Sequence, residues 1–508
     1  MGSDLSPAKA LLQAARLAAH VDISSFAALA QRYRGFFQDE LLLRILLTYL
    51  PETAEPFTYV GLIQDLSRGS IQADDSALPV DALIRDLDEK EARRRVKKLH
   101  LLPLTCYDAP ADGKHDPFTL FVFQRTYRMN SETAMLSQLP SLVNPFLAHN
   151  NAIQVWALST VYPYLRRNGE FHIQSTTEYS LMEFEQLQDR SAVNYLLSET
   201  GRQNTDAESL SRDLRCIISP WLYSRKRWTQ VELGANTNND ERFPAFCPGW
   251  EEVQETILSW AARSWTTAVA ALSRWNGPRD VFFSENATLS LDEDKLCYLD
   301  NSFVTTALAC VYVTPEPTTE ALRGAYQICV KIDKLVGNGS NPPDIDTFLA
   351  APDNLPRIFT TAVLSGTATP AQMRHNLLDQ SNTFTKPTSE SLELATALVV
   401  SAFITTELGV PWTVRRAGDL VIREDGREQK NELMKIVRAI ANKAPMDDDS
   451  YWIRCRQKVL WLHSWGYSTV DGHDVNNTAP LGLVSKEFIE AEFLKVLLSK
   501  SSKTHIER

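Results

Sequence analysis

At 508 residues the chain is several times the usual length of one domain, so it either divides into domains or extends by stacking. Only 20 glycines are present and no long tract joins strand-like alternation to hairpin turns, which favours an all-helical architecture over a large α/β enzyme with glycine-rich strand-to-helix turns. A formal net charge of −11 argues against a broad nucleic-acid surface, which would need clustered Lys and Arg to displace counterions; local basic patches stay open.

Ser6-Pro7 predicts a helix start, with Ser as cap and Pro at the first helical position, and Ala8, Leu11, Leu12, Ala15 and Ala19 then share a face. Asp22 and Ser24-Ser25 cap a second helix carrying Phe26, Leu29, Ala30 and Tyr33, which Gly35 stops. A third, entered at Asp39, carries Leu41, Leu42, Ile45, Leu46 and Tyr49 and ends at Pro51. None of the three can bury its stripe alone, so each needs neighbours of its own kind. A helix follows over Tyr59–Leu66 and breaks at Gly69. The spacing predicts one strong helix over Val80–Leu102 with Leu83, Ile84, Leu87, Val96 and Leu99 inward, then a loop over Tyr107–Pro117.

Phe118–Met129 is ambiguous, since Thr119 to Phe123 is β-branched and aromatic enough for a strand. Its downstream spacing, through Met135, Leu139, Leu142 and Val143, favours helix. Further helices are expected over Ala152–Leu165, Ser180–Leu197 (after a turn at Gly169), Leu210–Trp228 (broken at Pro220) and Trp250–Trp275. Gly201–Ser209 and Gly234–Gly249 are polar and turn-rich. The pattern continues over Leu299–Val313, Thr319–Val336, Ile345–Phe359, Leu392–Leu408, Arg427–Lys443, Asp449–His463 and Val484–Leu498, the last stopping in Ser499–Ser502. Gly337–Pro343 and Gly366–Thr388 are expected as mobile interruptions. No fixed repeat period marks the units.

Seven cysteines (106, 216, 247, 297, 310, 329, 455), odd in number and without a Cys-x-x-Cys pair, point to a reducing compartment where thiols serve as small apolar residues. No leader with a basic start and apolar core is recognised at the N-terminus. No run reaches the roughly 18 apolar residues that span a bilayer; Leu41–Leu50 and Ala395–Ile404 are expected as buried helices. The sequons at Asn286, Asn338 and Asn476 are then accidental.

Several clusters invite a chemical reading. Asp471-Gly-His473-Asp474-Val-Asn476 has carboxylates near a glycine but not the ligand order or closing glutamate of a calcium loop, so a polar loop is expected. Cys106 and His115 are near in sequence, and a thiol beside an imidazole is a nucleophilic pair only if geometry joins them. Arg93-Arg94-Arg95 with Lys97-Lys98 suits phosphates or anionic headgroups. Asp86, Asp88, Glu89 and Glu91 precede it, an order that suits the helix dipole and favours a self-paired, solvated face. Met1-Gly2 with Ser6 fits the short myristoylation pattern, and Met-Gly-Ser is equally a common cloning remnant. The tryptophans at 221, 228, 250, 260, 265 and 275 are expected to pack between helices. No phosphate loop, kinase set, nucleophile elbow or zinc-protease helix is present.

The order of several segments carries a resemblance. Ser6-Pro-Ala-Lys-Ala-Leu-Leu12, then Glu40-Leu-Leu-Leu-Arg-Ile-Leu-Leu-Thr-Tyr-Leu-Pro-Glu52, Asp116-Pro-Phe-Thr-Leu-Phe-Val-Phe-Gln-Arg-Thr-Tyr-Arg128, Leu139–Leu147 with Trp156 and Leu165-Arg166, and Val484–Leu498 together resemble fungal proteins of the Sec-thirty-nine domain family (secretory pathway protein thirty-nine). The resemblance spans most of the chain and rests on helical apolar strings, with no catalytic signature.

That resemblance implies an all-α fold, an irregular α-solenoid of stacked antiparallel helix hairpins, and helix over Phe118–Met129. As domains it implies an N-terminal part of the solenoid over 1–233 and its continuation over 250–508, one extended domain in all. The function implied is that of a non-enzymatic scaffold subunit of the Dsl tethering complex in Golgi-to-endoplasmic-reticulum retrograde (COPI) transport, related to the neuroblastoma-amplified sequence protein. Its partners would be other helical tether subunits and the N-terminal domains of endoplasmic-reticulum SNAREs, in a hetero-oligomer, with no nucleic acid. It would be cytoplasmic, held on the cytosolic face of that membrane through partners. No catalytic, cofactor-binding or metal residue is assigned, no cofactor is expected, and the partner-facing residues are not located by the sequence. Family members generally run on after Val484–Leu498, so the family's C-terminal portion is expected to lie outside this chain. Two rivals are a cytosolic helical-repeat adaptor or assembly platform unrelated to vesicle traffic, and an α-helical hydrolase using the Cys106 region or the acidic 447–449 and 471–474 loops.

Overall fold

The computed structural model describes residues 5–71, 81–105, 115–171, 178–198, 207–230, 245–285, 287–336, 344–346, 368–379, 381–445, 448–465, 468–470, 473–475 and 479–506. The described residues are helical apart from loops and two short antiparallel pairs, Thr229–Gln230 with Ala245–Phe246 and Ser468–Val470 with His473–Val475. The all-α expectation therefore holds. The chain divides into two compact units, one of Met1–Ser198, Cys216–Lys226 and Phe282–Ser290, the other of Glu199–Arg215, Arg227–Val281 and Leu291–Arg508.

In the first unit, helix Pro7–Ala19 begins where Ser6 accepts the Lys9 amide and buries Ala10, Leu11, Ala14, Ala15, Leu17 and Ala18. It packs on Ile23–Arg32, capped by Asp22, and on Asp39–Tyr49. The latter lies against Pro117–Thr133, so the ambiguous Phe118–Met129 is helix. Local chemistry outweighs β-propensity there: Pro117 takes the first helical position, and Asp116 accepts the Phe118 amide at 3.0 Å and the Thr119 amide at 3.1 Å.

Several expected helices are divided. Val80–Leu102 contains two short ones, Ala82–Arg85 and Glu89–Lys97, because Asp88 turns its carboxylate onto the Lys90 amide at 3.1 Å and caps a new start. Leu83, expected inward, is 73% exposed, and Ala92 takes the buried position instead. Ser180–Leu197 is Leu181–Gln186, opened by a Ser180/Glu183 capping box, and then Asp189–Leu196.

Other breaks are absent. Gly169 lies within the helical turn Arg166–Glu170, not in a loop, and the chain stays helical over Ser219–Leu222 across Pro220. Pro220 has no N–H to give the Cys216 carbonyl four residues back, and the Arg166 guanidinium donates to that oxygen at 2.7 Å.

The second unit corrects the expected Trp250–Trp275 rod: it is Pro248–Arg263 and Trp265–Arg274, parted at Ser264, whose hydroxyl turns to Thr267 Oγ1 at 2.9 Å. Its inward set still holds, since Val253, Ile257, Trp260, Ala261, Trp265, Val269 and Leu272 are all buried. Glu293–Val313, Thr319–Val336 and Ser389–Leu408 form the centre, the last closed by Gly409 in the left-handed region. Glu293–Val313 and Ser389–Leu408 are long and apolar enough to cross a membrane, which the sequence reading had denied to any run. In each, most of the apolar window is packed inside the protein.

A helix the sequence reading missed, Val414–Ile422, opens where Thr413 accepts the Arg416 amide at 3.1 Å. Residues 368–388, expected as mobile, pack Met373 and Phe384 fully inside, and Asn382 ties the turn by donating to the Gln372 and Asn376 carbonyls. Gly426–Lys443 and Asp449–Ser464 follow, and the last helix runs from Lys486 to Ile506, past the expected stop in Ser499–Ser502. Most of Gly201–Ser209 and of Gly234–Gly249, Gly337–Pro343, most of Ile345–Phe359, and the asparagines of the three sequons lie outside the described residues.

Candidate interaction surfaces

The described residues contain only part of each cluster the sequence offered as reactive. Cys106 lies outside the described residues, and His115 sits edge-on to the Phe123 ring at 5.7 Å. Asp471, Asn476 and the 446–447 positions are also outside them, while His473 and Asp474 form one strand of a small hairpin. Burial pushes the Cys310 and Cys329 thiols up to about 12, the opposite of the shift an activated thiolate needs. Among the described residues no three His, Cys, Asp or Glu converge as metal ligands would.

The tryptophans are packing residues. Trp221, Trp250 and Trp275 are fully buried, Trp260 and Trp265 nearly so, and Trp250 and Trp275 meet edge-to-face at 6.4 Å. Trp228 is half-buried against Tyr298.

Sequence reasoning missed the buried arginines, which lock loops onto helices. Arg125, with no exposed surface, donates to the Leu50 carbonyl at 2.8 Å and the Pro51 carbonyl at 2.5 Å, closing the end of Asp39–Tyr49. Arg166 donates to the carbonyls of Cys216, Phe282 and Phe283, pinning the segment 282–290 within its unit. Arg167 stacks on the Tyr195 ring at 3.7 Å and donates to the Tyr195 carbonyl at 2.5 Å. Nothing in the sequence separates these three from surface arginines.

Among the described residues an apolar face of several side chains is exposed at the last helix. On the helix Lys486–Ile506, Ile489 and Phe493 point inward, while Leu494, Leu497 and Leu498, at i, i+3 and i+4, form a second stripe that is 58%, 37% and 69% exposed. This helix runs antiparallel to Asp449–Ser464: the Leu481 amide donates to the Leu462 carbonyl at 3.2 Å, and further along Arg456 pairs with Glu490. One turn beyond that ion pair on each helix lie Ile453, 56% exposed, and Leu494, so the stripe continues from one helix toward the other. Scattered exposed leucines are ordinary; four large aliphatic side chains on two paired helices are a candidate docking face.

The fold and these faces define an all-α protein whose exposed features are helix surfaces. The chain belongs to the family of the Secretory pathway protein Sec39, which it matches over residues 11–507, as the segment order had indicated. Among curated proteins none matches it.

Proposed function

We propose that the chain is a non-enzymatic scaffold subunit of the Dsl tethering complex on the cytosolic face of the endoplasmic reticulum, joining tether partners to SNARE N-terminal domains in Golgi-to-endoplasmic-reticulum retrograde transport. The observation that carries this reading is membership, over residues 11–507, of a family described as secretory-pathway proteins. An all-helical chain suits the role, because helix hairpins stacked into an irregular solenoid present long edges to other helical subunits. Affinity at such edges comes from a few apolar or arginine anchors, and Ile453, Leu494, Leu497 and Leu498 are the anchors proposed.

The test is co-purification of the full chain with the helical partner subunits and the SNARE N-terminal domain. Binding by the wild type, and its reduction by at least tenfold when Ile453, Leu494, Leu497 and Leu498 are changed to Ser, supports both the role and the face. Binding that survives the change moves the contact elsewhere on the chain; no binding to any of the partners overturns the role.

A further inference from the structure

The helix Glu89–Lys97 stands out from its unit: among its nine residues only Ala92 is buried. Between Glu89 and Lys98 six cations meet two carboxylates, in a chain whose overall charge is −11. The expected self-pairing is present, but it runs along the flanks. Arg93 Nε lies 2.9 Å from Glu89 and Arg95 Nε 3.2 Å from Glu91. At about 100° per residue, Lys90, Arg94, Lys97 and Lys98 share one arc opposite Ala92. All four are exposed, and among the described residues only Arg94 has an ion pair, a loose one to Glu91 at 3.7 Å. Asp86 and Asp88 sit at the other end of the helix, where the dipole is positive and they serve as its acidic entry.

We infer that the stripe Lys90-Arg94-Lys97-Lys98 is a direct contact for the anionic lipid headgroups of a bilayer surface. A folded partner needs an apolar patch at the core of its contact, and the exposed arc of this helix is Lys90, Arg94, Lys97 and Lys98 with no apolar side chain among them. A row of long, flexible point charges needs no fixed geometry in its partner, and the diffuse charge of headgroups supplies none. Leu83, 73% exposed on Ala82–Arg85, adds an apolar side chain for which an interfacial bilayer has a use and a soluble polyanion has none. Both short helices pack on Pro7–Ala19, which holds them to the same body, and Lys9 of that helix donates to the Arg85 carbonyl at 2.8 Å. Such a contact acts without partner subunits and is independent of the tethering role.

The test is flotation of the purified full chain with vesicles of phosphatidylcholine alone and of phosphatidylcholine with phosphatidylserine. Each cation near an anionic leaflet contributes roughly fivefold to partitioning, so a variant carrying Lys90→Gln, Arg94→Gln, Lys97→Gln and Lys98→Gln should lose about a hundredfold or more at low salt. A control with the same charge change spread over the second unit, Arg263→Gln, Arg274→Gln, Lys334→Gln and Arg427→Gln, should keep its binding. Unchanged helical circular dichroism establishes that each variant is folded. Recovery that needs phosphatidylserine, falls with salt and is lost only in the stripe variant supports the inference. Equal recovery on uncharged vesicles, equal loss in the control, or binding to soluble polyglutamate without binding to vesicles overturns it.

Discussion

Arg125→Met isolates the contribution of a buried cation that has no carboxylate beside it. Arg125 is fully enclosed, and its guanidinium meets the Leu50 and Pro51 carbonyls, the Tyr59 hydroxyl at 3.4 Å and the Tyr59 ring at 5.3 Å. Its hydrogen bonds go to the two carbonyls that follow the helix Asp39–Tyr49, those of the cap residue Leu50 and of Pro51. Methionine keeps most of the aliphatic stem, so the cavity is small and the main loss is of charge-assisted hydrogen bonds. The half-buried Pro51 carbonyl keeps the Ala54 amide, so the main loss is the donor to the buried Leu50 carbonyl, and release of the desolvated guanidinium returns part of it, for a net loss of about 1–3 kcal/mol. Arg125→Lys should lose about half as much, because an ammonium cannot fork between two oxygens set for a guanidinium. Urea denaturation followed by circular dichroism, with hydrogen exchange read over residues 39–54, measures both. At roughly 2–4 °C per kcal/mol for a unit of this size, the methionine variant should also melt about 2–12 °C lower. Stability within about 0.5 kcal/mol of wild type, or unchanged protection over 39–54, would refute the assignment of Arg125 as the clasp of that helix end.

Asp116 gives an acid signature. Burial acts to raise its pKa, but hydrogen bonds from Thr119, His149 and Asn150 outweigh it and hold the carboxyl at about 2 against an ordinary 3.8. Because the folded value is the lower one, the stabilisation is complete above pH 3.8 and disappears as pH falls toward 2; with the side chain 36% exposed, screening reduces it to about 1 kcal/mol. Asp116→Asn keeps a capping oxygen and removes the titration, so its stability should fall less steeply than wild type between pH 4 and pH 2 in urea melts. Two glycines should respond with opposite signs in thermal melts. Gly61→Ala, in open space inside the helix Pro56–Ser67, should stabilise by about 0.5–1 kcal/mol. Gly324→Leu should destabilise by about 2 kcal/mol or more, because even its Cβ would stand 2.9 Å from Cγ1 of Val269, a side chain stiff at χ1.

The sequence carried helix starts well and helix interruptions poorly. Ser6-Pro7, Asp22 and Asp116-Pro117 are capping chemistry that acts within four residues, so it is visible without the fold. Asp88, Leu187-Gln188 and Ser264 interrupt apolar periodicities that would support continuous helix, and at Ser264 the interruption lets the two flanking helices pack on different neighbours, Pro248–Arg263 on Glu293–Val313 and Trp265–Arg274 on Thr319–Val336. Pro220 shows the converse, since a proline expected to break a helix is tolerated where a distant arginine also donates to the carbonyl four residues before it. Arg125, Arg166 and Arg167 were illegible for the same reason: a cation counts as surface in any local reading until the carbonyls that enclose it are brought from elsewhere in the unit. The exposed stripe of the last helix was half legible. The sequence predicts a helix over Val484–Leu498, but which of its leucines remain uncovered depends on where the helices it packs on, chiefly Gly426–Lys443, lie.

The two membrane-length helices pose the same problem in its sharpest form, because apolar length is shared by core and bilayer and only the polar residues discriminate. Ser389–Leu408 has buried residues around its whole circumference, among them Ser391, Ser401 and Thr405. In a bilayer these hydroxyls would turn to their own helix. Thr405 does so, donating to the Ser401 and Ala402 carbonyls, but the other two are used by the surrounding unit. Ser391 donates to the Thr383 carbonyl at 2.9 Å, and Ser401 accepts from the indole of the fully buried Trp465 at 3.1 Å. Removing the helix to lipid would strand a buried indole N–H and a loop carbonyl, each costing about 1–3 kcal/mol, and would unpack Thr319–Val336 from its principal neighbour. Those cross-links, more than hydropathy, make this helix the centre of its unit, and they explain why a helix buried on every side has no amphipathic pattern for a sequence reading to find.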